Sequence, residues 1–316
     1  MNGEDPPLVS ILIPARNAGR WIRRCVESAL AQDWSRVEVW VCEDGSTDET
    51  AAILAEFGER IRVIEGGGKG SNPARNRLLE RASGEWIQHL DADDEMKPDK
   101  ISRQFAEAGN SAEVDVLYSP TIDEVWNDGQ RVSAVTSHVG LSLDPVSQWF
   151  LWELSQANGS LWRKASLVRI GGWNEAQACC QDNELYARAL RSGLRFKFCP
   201  TAGAIYRIWS RESLSRRDPL ESLRVRWKLM EEMCAWLEGK ALWTAVRRRS
   251  AGQAFLELCR QWALHDPDAA AGLFARKKEE GLIALAGPAA PFLYAWTCRM
   301  FGFRAAEQIA AFNRKW

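Results

Sequence analysis

Hydrophobic and polar positions follow two alternating patterns over the first hundred residues. Short, β-branched apolar runs predict strands buried on both faces at residues 8–13, 37–42, 62–64 and 85–90. Between these runs, apolar side chains recur at helical spacing, as they do at Trp21, Ile22, Cys25, Val26, Ala29 and Leu30. Strands separated by helices are typical of βαβ units, so we predict an α/β fold with a mostly parallel central sheet flanked by helices. Functional side chains are expected at the carboxyl ends of its strands.

Two local signals refine this prediction. Ser46 and Glu49 have the spacing of a capping box, which predicts the start of a helix. Short strand-like runs flank Asn127-Asp128-Gly129, which indicates a hairpin turn.

The pattern changes again at Pro219, after which the chain is predicted to be wholly helical. Only 6 of the 23 glycines follow this residue, which supports a boundary there. We therefore predict a first domain at 1–218 and a helical C-terminal extension at 219–316. Residues 281–298 are uncharged, but prolines interrupt them, so a buried or membrane-surface helical hairpin is expected rather than a membrane-spanning helix.

Composition excludes several classes of protein. Of the 316 residues, 46% are hydrophobic and 26% are charged, which excludes a disordered chain. The net charge of −1, from 41 basic and 42 acidic residues, argues against a general nucleic-acid binder. The eight cysteines contain no CxxC pair, and the first residues lack the features of a signal peptide, so a cytoplasmic protein is expected. The 16 tryptophans suit core packing, and one of Trp149, Trp152, Trp162 and Trp173 is a candidate platform for a sugar ring.

The sharpest chemical feature is the sequence Leu90-Asp91-Ala92-Asp93-Asp94 at the end of a predicted strand. Three carboxylates in four residues repel one another unless a cation neutralises them. Hard oxygen ligands at this spacing suit Mg²⁺ or Mn²⁺ shared with a diphosphate. The alternative is a solvated acidic turn before a helix.

Two other acidic segments carry alternatives of the same kind. Glu43 and Asp44 follow the second predicted strand, where they suit either hydrogen bonds to a nucleotide or a capped loop. Asp182 begins a predicted helix, where an acidic residue is most often an N-cap.

These motifs, taken in order, resemble the family 2 glycosyltransferases. The resemblance covers about residues 8–216 and rests on seven segments in series: VSILIPARN from Val9, EDGSTD from Glu43, PARN from Pro73, LDADD from Leu90, GGWNE from Gly171, QDNELYARAL from Gln181, and Tyr206-Arg207. It implies a GT-A fold and inverting transfer of a sugar from a nucleotide diphosphate donor, with UDP favoured. The implied acceptor is a carbohydrate, a lipid-linked molecule or a protein, in surface polysaccharide or glycoconjugate synthesis.

The resemblance also implies roles for individual residues. Asp44 resembles the uracil-binding aspartate, and Arg75 resembles the helix arginine near the diphosphate. Asp91 and Asp93 match the DxD pair that holds Mn²⁺ or Mg²⁺, and Asp182 matches the catalytic base. The remaining implied residues are Asp94 as a further metal ligand and, for nucleotide binding, Pro14, Ala15, Arg16, Asn17, Glu43 and Ala92.

Three residues depart from the family pattern. Glu43 replaces a common aspartate, Gln181 replaces a common glutamate, and Trp209 lies where many members carry a histidine. They leave open a degenerate nucleotide-sugar-binding scaffold. A sugar-nucleotide nucleotidyltransferase is a weaker alternative, since the expected glycine-rich loop with a lysine is missing after the first strand.

The C-terminal helices and the glycine-rich segment are the least specific parts of the sequence. Three roles stay open for the helices: contact with the inner face of a membrane, homodimerisation, or binding of the acceptor. The segment from Gly66 to Ser71 lacks the order of a phosphate-binding loop and predicts a flexible loop.

Overall fold

The computed structural model describes residues 5–109, 113–127, 130–137, 143–209 and 218–313. Packing divides the chain into two compact units. The first contains Met1–Val139 and Leu154–Ser210, and the second contains Gly140–Glu153 and Arg211–Trp316. The second unit therefore includes residues 140–153, which the predicted boundary after residue 218 assigns to the first domain.

The described residues form eleven strands and eleven α-helices. The strands are β1 (Val9–Ala15), β2 (Val37–Glu43), β3 (Arg62–Glu65), β4 (Trp86–His89), β5 (Glu95–Met96), β6 (Val116–Tyr118), β7 (Thr121–Asn127), β8 (Gln130–Thr136), β9 (Ser160–Arg163), β10 (Phe196–Phe198) and β11 (Ala204–Ile208). The helices are α1 (Ile22–Leu30), α2 (Thr50–Ala55), α3 (Ser71–Arg81), α4 (Lys100–Ala108), α5 (Pro145–Phe150), α6 (Lys164–Arg169), α7 (Gln181–Arg191), α8 (Pro219–Gly239), α9 (Ala245–Trp262), α10 (Pro267–Glu279) and α11 (Phe292–Asn313).

Seven strands form the main sheet of the first unit, in the order β10-β6-β9-β4-β1-β2-β3. Neighbouring strands are parallel except at β9, which runs antiparallel to β4 and to β6. Strand β1 lies in the interior of the sheet and is buried, because it carries apolar side chains on both faces of the sheet. Val9, Ile11 and Ile13 join the core that α1 supplies with Ile22 and Val26. The predicted mostly parallel sheet with flanking helices is confirmed.

A smaller sheet in the first unit was not predicted. Its order is β5-β11-β7-β8, with β11 parallel to β7 and antiparallel to β5. The predicted hairpin strands are present as the antiparallel pair β7 and β8, while Asp128 and Gly129 lie outside the described residues. This sheet matters for the site because it pairs the chain that follows Asp94 with residues 204 and 205.

The second unit is helical, and its helices begin at side-chain caps. The carboxylates of Asp218 and Asp266 accept hydrogen bonds from backbone N–H groups in the first turns of α8 and α10, and Thr244 caps α9 in the same way. Trp227 on α8 packs edge-on against Phe255 on α9, with 5.0 Å between the ring centroids. The predicted helical C-terminal region is confirmed.

Two local predictions were wrong. Helix α2 begins at Thr50 because the hydroxyl of Ser46 accepts a hydrogen bond from the N–H of Asn17 (3.0 Å) and does not cap the helix. Residues 282–291 contain no α-helix, so the predicted helical hairpin is absent; α11 instead consists of two helical segments that meet at Gly302, whose backbone is not helical (φ 84°, ψ 171°). Within the described ranges, no helix combines the length and the apolar character needed to cross a membrane.

Candidate active site

Three neighbouring parallel strands bring the predicted site residues to one edge of the main sheet. Strands β1, β2 and β4 end at Ala15, Glu43 and His89, and each leads directly into a polar segment. Ala15 pairs in register with Glu43, and its carbonyl accepts a hydrogen bond from the N–H of Asp44 at 2.8 Å. Carboxyl ends of parallel strands are where open α/β sheets bind ligands, so these segments form the candidate site.

Asp44 is buried, with 3% of its surface exposed, under the glycine-rich loop that follows β3. Its carboxylate accepts hydrogen bonds from the N–H groups of Lys69 (3.1 Å) and Gly70 (2.7 Å). A Cβ atom on Gly66 would lie 2.4 Å from Oδ1 of Asp44, so only glycine allows the loop to approach this closely. The segment interpreted from sequence as a flexible loop is thus tied to the predicted base-binding residue.

Two other predicted nucleotide-binding residues hold the neighbouring turns. The carboxylate of Glu43 accepts hydrogen bonds from the N–H groups of Gly45 and Ser46. Burial acts to raise the pKa of Glu43, but these hydrogen bonds prevail and lower it. Asn17, with φ of 49°, accepts a hydrogen bond from the N–H of Thr47 at 2.8 Å. Both side chains therefore shape the rim of the site.

The other predicted residues of the first strand and its loop differ in exposure. Ala15 is buried, Pro14 is half-buried and Arg16 is exposed to solvent. Arg16 thus offers an accessible positive charge in this segment, while Pro14 and Ala15 contribute apolar side chains.

Arg75 is the central cation of the site. Its guanidinium is buried, lies 4.4 Å from the ring centroid of Trp173, and donates a 2.6 Å hydrogen bond to Oδ1 of Asp91. It also donates to Oε1 of Gln181 at 3.0 Å, which joins α3 to α7. Gln181, one of the three departures from the family pattern, is thus a neutral partner of this arginine.

Asp93 follows Asp91 in the LDADD segment and contacts Trp209, a second residue that departs from the family pattern. Its Oδ2 accepts a 2.8 Å hydrogen bond from the indole N–H of Trp209, which packs near Trp21 with 5.9 Å between ring centroids. Burial and the charge of Asp91 raise the pKa of Asp93, and the bond from Trp209 opposes that rise. The indole thus occupies one oxygen of a predicted metal ligand.

Asp94, unlike Asp91 and Asp93, has a carboxylate that is held inside the protein. It is almost fully buried, and its two oxygens accept hydrogen bonds from the amide of Asn158 (2.7 Å) and the N–H of Arg207 (2.8 Å). Burial, followed by the charges of Asp93 and Asp91, raises the pKa of Asp94 well above its usual value. Asp94 therefore ties the end of the motif to β11, and we leave it out of the proposed metal ligands.

The carboxylates of Asp91 and Asp93 fit a divalent cation that is shared with a ligand. They offer hard oxygen donors, and the repulsion between them would be relieved by a positive ion. No group of three or more His, Cys, Asp or Glu side chains among the described residues could hold a metal ion. The remaining ligands would have to come from a diphosphate and water, as is usual for Mg²⁺.

Asp182 lies in the first turn of α7 and belongs to the same electrostatic cluster. Its Oδ2 accepts a hydrogen bond from the N–H of Ala157 at 3.1 Å. Burial raises the pKa of Asp182 to about 6, with the charge of Arg75 lowering it and that of Asp91 raising it. A carboxyl group with this pKa is poised to take up a proton near neutral pH.

The contacts of Arg207 and Trp173 were not predicted from the sequence. Arg207 is buried and ion-pairs with Glu95, while its guanidinium also donates to the carbonyl of Asp93 at 2.9 Å. On the other side, the indole N–H of Trp173 donates to Nε2 of His89 at 3.2 Å, and burial lowers the pKa of His89 to about 3. A neutral histidine therefore supports the ring on which Arg75 stacks. The motifs around Arg207 and Trp173 marked these positions without giving their partners.

Comparison with known proteins identifies relatives for part of the chain. Residues 10–161 match the family model described as glycosyl transferase family 2. This segment belongs to the family 2 glycosyltransferases. A stretch of 130 residues of this chain is 46% identical to chondroitin synthase from Escherichia coli, covering 40% of this chain and 19% of that protein. The chain thus spans about a fifth of the length of this relative.

Solved glycosyltransferases share the fold of the chain. TarS 1-349 from S. aureus, in complex with UDP-GlcNAc, superimposes with a TM-score of 0.66 and 18% identity, covering 97% of this chain and 92% of that one. Mannosyltransferase PcManGT from Pyrobaculum calidifontis, in complex with GDP-Man and Mn²⁺, gives a TM-score of 0.53 and 17% identity, covering 98% and 87%. The predicted GT-A fold is confirmed.

The family 2 glycosyltransferase segment contains most of the candidate site. Asp44, Arg75, Asp91 and Asp93 lie inside residues 10–161, whereas Asp182 lies beyond the matched range. Asp182 joins the site through α7, whose first residue, Gln181, is hydrogen-bonded to Arg75 of the glycosyltransferase segment.

Proposed function

We propose that this chain transfers a sugar from a nucleoside diphosphate donor to an acceptor hydroxyl, with inversion at the anomeric carbon. The observation that carries the proposal is the cluster of Arg75, Asp91, Asp93 and Asp182 at the carboxyl edge of the sheet. Arg75 donates to Asp91, and the charges of both residues act on the pKa of Asp182. A cation beside two carboxylates and a separate proton acceptor are the groups that such a transfer needs.

The leaving group of this reaction is a diphosphate, on which negative charge develops in the transition state. Arg75 is buried, so its attraction for that charge is weakly screened. Asp91 and Asp93 would hold Mn²⁺ or Mg²⁺, which when bound stabilises the departing diphosphate as a Lewis acid. Asp44 would accept a hydrogen bond from the nucleotide base once the glycine-rich loop yields the two hydrogen bonds that it now donates.

Asp182 is proposed as the base that accepts the proton of the attacking hydroxyl. Inversion requires attack from the face opposite the leaving group, so the base and the diphosphate must lie on different sides of the sugar. The N–H of Ala157 holds one oxygen of Asp182 and orients the carboxylate. At neutral pH a carboxyl group with a pKa of about 6 is mostly ionised and still basic enough to accept a proton.

The donor is proposed to be a UDP-sugar, and the acceptor a carbohydrate, a lipid-linked molecule or a protein. The complex of TarS with UDP-GlcNAc supports UDP, while the complex of PcManGT with GDP-Man keeps GDP as the competing donor. The similarity to a chondroitin synthase supports a role in the synthesis of a surface polysaccharide or glycoconjugate.

The experiment is calorimetric titration of the protein with UDP, GDP and dTDP, each with and without Mn²⁺. We expect UDP to bind in a Mn²⁺-dependent manner and Asp93→Ala to abolish that dependence. Asp99→Ala is the matched control, because Asp99 is a partly exposed carboxylate a few residues further along the chain that pairs with Arg103. UDP binding that is equally tight without the metal would contradict the role of Asp91 and Asp93.

Turnover then separates an enzyme from the binding scaffold that the sequence left open. We expect slow release of UDP from a UDP-sugar, with Asp182→Asn retaining nucleotide binding and losing this activity. Nucleotide binding without turnover of any UDP- or GDP-sugar would favour the scaffold.

A further inference from the structure

Helix α11 presents an exposed apolar surface on the second unit. Seven of the large hydrophobic side chains that are exposed in the described residues lie on this helix: Phe292, Leu293, Trp296, Met300, Phe301, Ile309 and Phe312. Phe292 is 86% exposed, Phe301 64% and Trp296 47%. Scattered exposed apolar residues are ordinary, but a contiguous group of this kind marks a surface that binds something.

The spacing of these residues makes the first half of the helix a continuous stripe. Phe292, Trp296 and Met300 follow one another at intervals of four and therefore lie on one face. The opposite face is apolar as well, with Tyr294, Ala295 and Cys298 buried in the second unit. A helix that is apolar on both faces is normally covered on both. No described residue of the second unit covers the outer face, since its side chains are exposed.

The charges on α11 are distributed in a way that favours an anionic partner. Arg299 lies next to the stripe, and Arg304 follows the bend at Gly302. Glu307, the acidic residue of this helix, is buried and ion-paired with Arg260 at 2.8 Å. Arg304 is ion-paired with Asp268 on α10 at 2.8 Å, so the positive charge beside the stripe comes from Arg299.

We propose that the outer face of α11 docks on the surface of a lipid bilayer that contains anionic lipids. Aromatic and aliphatic side chains with flanking arginines are the composition of helices that lie in the plane of a membrane interface. Phe292, Trp296 and Met300 would enter the boundary between headgroups and acyl chains, and Arg299 would contact the anionic headgroups.

A second copy of the chain fits this surface less well. A twofold dimer places the same patch on both subunits, so charges on the patch must be self-complementary. Beside the stripe, the described part of α11 offers Arg299 and no exposed acidic side chain, so two such faces would bring like charges together. Dimerisation is accordingly the competing outcome of the test.

The test uses the full chain with vesicles of phosphatidylcholine alone and of phosphatidylcholine mixed with phosphatidylglycerol, measured by co-sedimentation. We expect binding to the mixed vesicles that weakens as salt is raised. The triple variant Phe292→Ser/Trp296→Ser/Met300→Ser should lower the partition coefficient at least tenfold. Arg299→Gln alone should lower it about fivefold, because each basic residue near an anionic surface contributes about that much.

The matched control is the double variant Val246→Ser/Leu264→Ser, which removes two exposed apolar side chains of the second unit that lie outside α11. It should bind vesicles like the parent protein, and all variants should keep the parent circular dichroism and nucleotide binding. The proposal fails if the parent does not bind mixed vesicles. If the parent is then a dimer that the triple variant dissociates, the outer face of α11 binds a second copy of the chain instead. The proposal also fails if the control loses as much binding as the triple variant.

Discussion

At the scale of single residues, Asp182, the proposed base, has a raised pKa that lowers the stability of the protein at neutral pH. Its first-turn position on α7 would suit an ionised carboxylate, since the helix N-terminus carries partial positive charge. Burial nevertheless prevails and raises its pKa to about 6. Cys180, just before the helix, adopts a left-handed conformation (φ 55°, ψ 36°), which is unusual for a residue with a side chain. Such backbone conformations concentrate at functional sites.

We expect Asp182→Asn to stabilise the protein at neutral pH. The native carboxyl ionises near pH 6 and the unfolded one near pH 4, so the native state holds the extra proton between these values. Stability of the parent therefore falls as pH rises from 4 to 6, and asparagine removes that loss. The free energy of unfolding of the variant should exceed that of the parent by about 3 kcal/mol at pH 7, as measured by urea denaturation.

The pH dependence provides the control for this prediction. Below pH 4 both states of the parent are protonated at residue 182, so the difference between parent and variant should disappear. An equal difference at pH 4 and pH 7 would mean that Asp182 ionises normally and that asparagine acts through packing.

At the scale of elements, the glycine-rich loop at residues 66–71 packs on the end of β2, and the two segments are joined by hydrogen bonds. The loop supplies two N–H donors to Asp44, and Gly66 makes the approach possible because it has no Cβ. A side chain at residue 66 would also meet the backbone of Asp44, with 2.9 Å to its Cα. Since backbone cannot rotate away, the loop would have to move as a whole.

We expect Gly66→Ala to lower the free energy of unfolding by about 1–3 kcal/mol, because a buried carboxylate would lose hydrogen bonds. The measurement is urea denaturation followed by circular dichroism. Gly272→Ala is the control, since a Cβ there meets no atom within 4 Å and alanine is the better helix former within α10. If both variants were as stable as the parent, the loop could not be packed on Asp44.

The elements that the sequence predicted share one property. Strands β1, β2 and β4 and helix α1 have patterns that repeat within a single segment. The short strands β5, β9, β10 and β11 have two to five residues and gain their hydrogen bonds from partners distant in the chain. Ser46 was wrongly expected to cap α2 because its actual partner, Asn17, lies 29 residues away.

In the candidate site, too, contacts between segments that are distant in the chain could not be predicted. Resemblance identified Asp44, Arg75, Asp91, Asp93 and Asp182 as site residues, and these predictions remain to be tested. The sequence could not predict that Trp209 donates to Asp93 or that Arg207 holds Asp94, since both contacts depend on the pairing of β11 with β5.

At the scale of the molecule, the second unit is built from two separate stretches of chain. Helix α5 belongs to it although more than sixty residues separate α5 from α8. Phe150 on α5 stacks on Trp243 with 6.4 Å between ring centroids, and Asp144 accepts a 3.0 Å hydrogen bond from Arg247 on α9. The chain therefore cannot be divided cleanly at a single position.

We expect a chain truncated after Asp218 to be poorly soluble. Removing α8 to α11 leaves α5 in place and exposes its buried side chains, Val146, Trp149 and Phe150. An apolar helix without its partners promotes association. The measurement is the soluble fraction and the sedimentation coefficient of residues 1–218 beside those of the full chain.

A second truncated chain that also carries Val146→Ser, Trp149→Ser and Phe150→Ser should recover solubility, because the surface that associates is then polar. A soluble, monomeric 1–218 chain without these substitutions would instead mean that α5 does not need the C-terminal helices. The predicted domain boundary after residue 218 would then be the correct one.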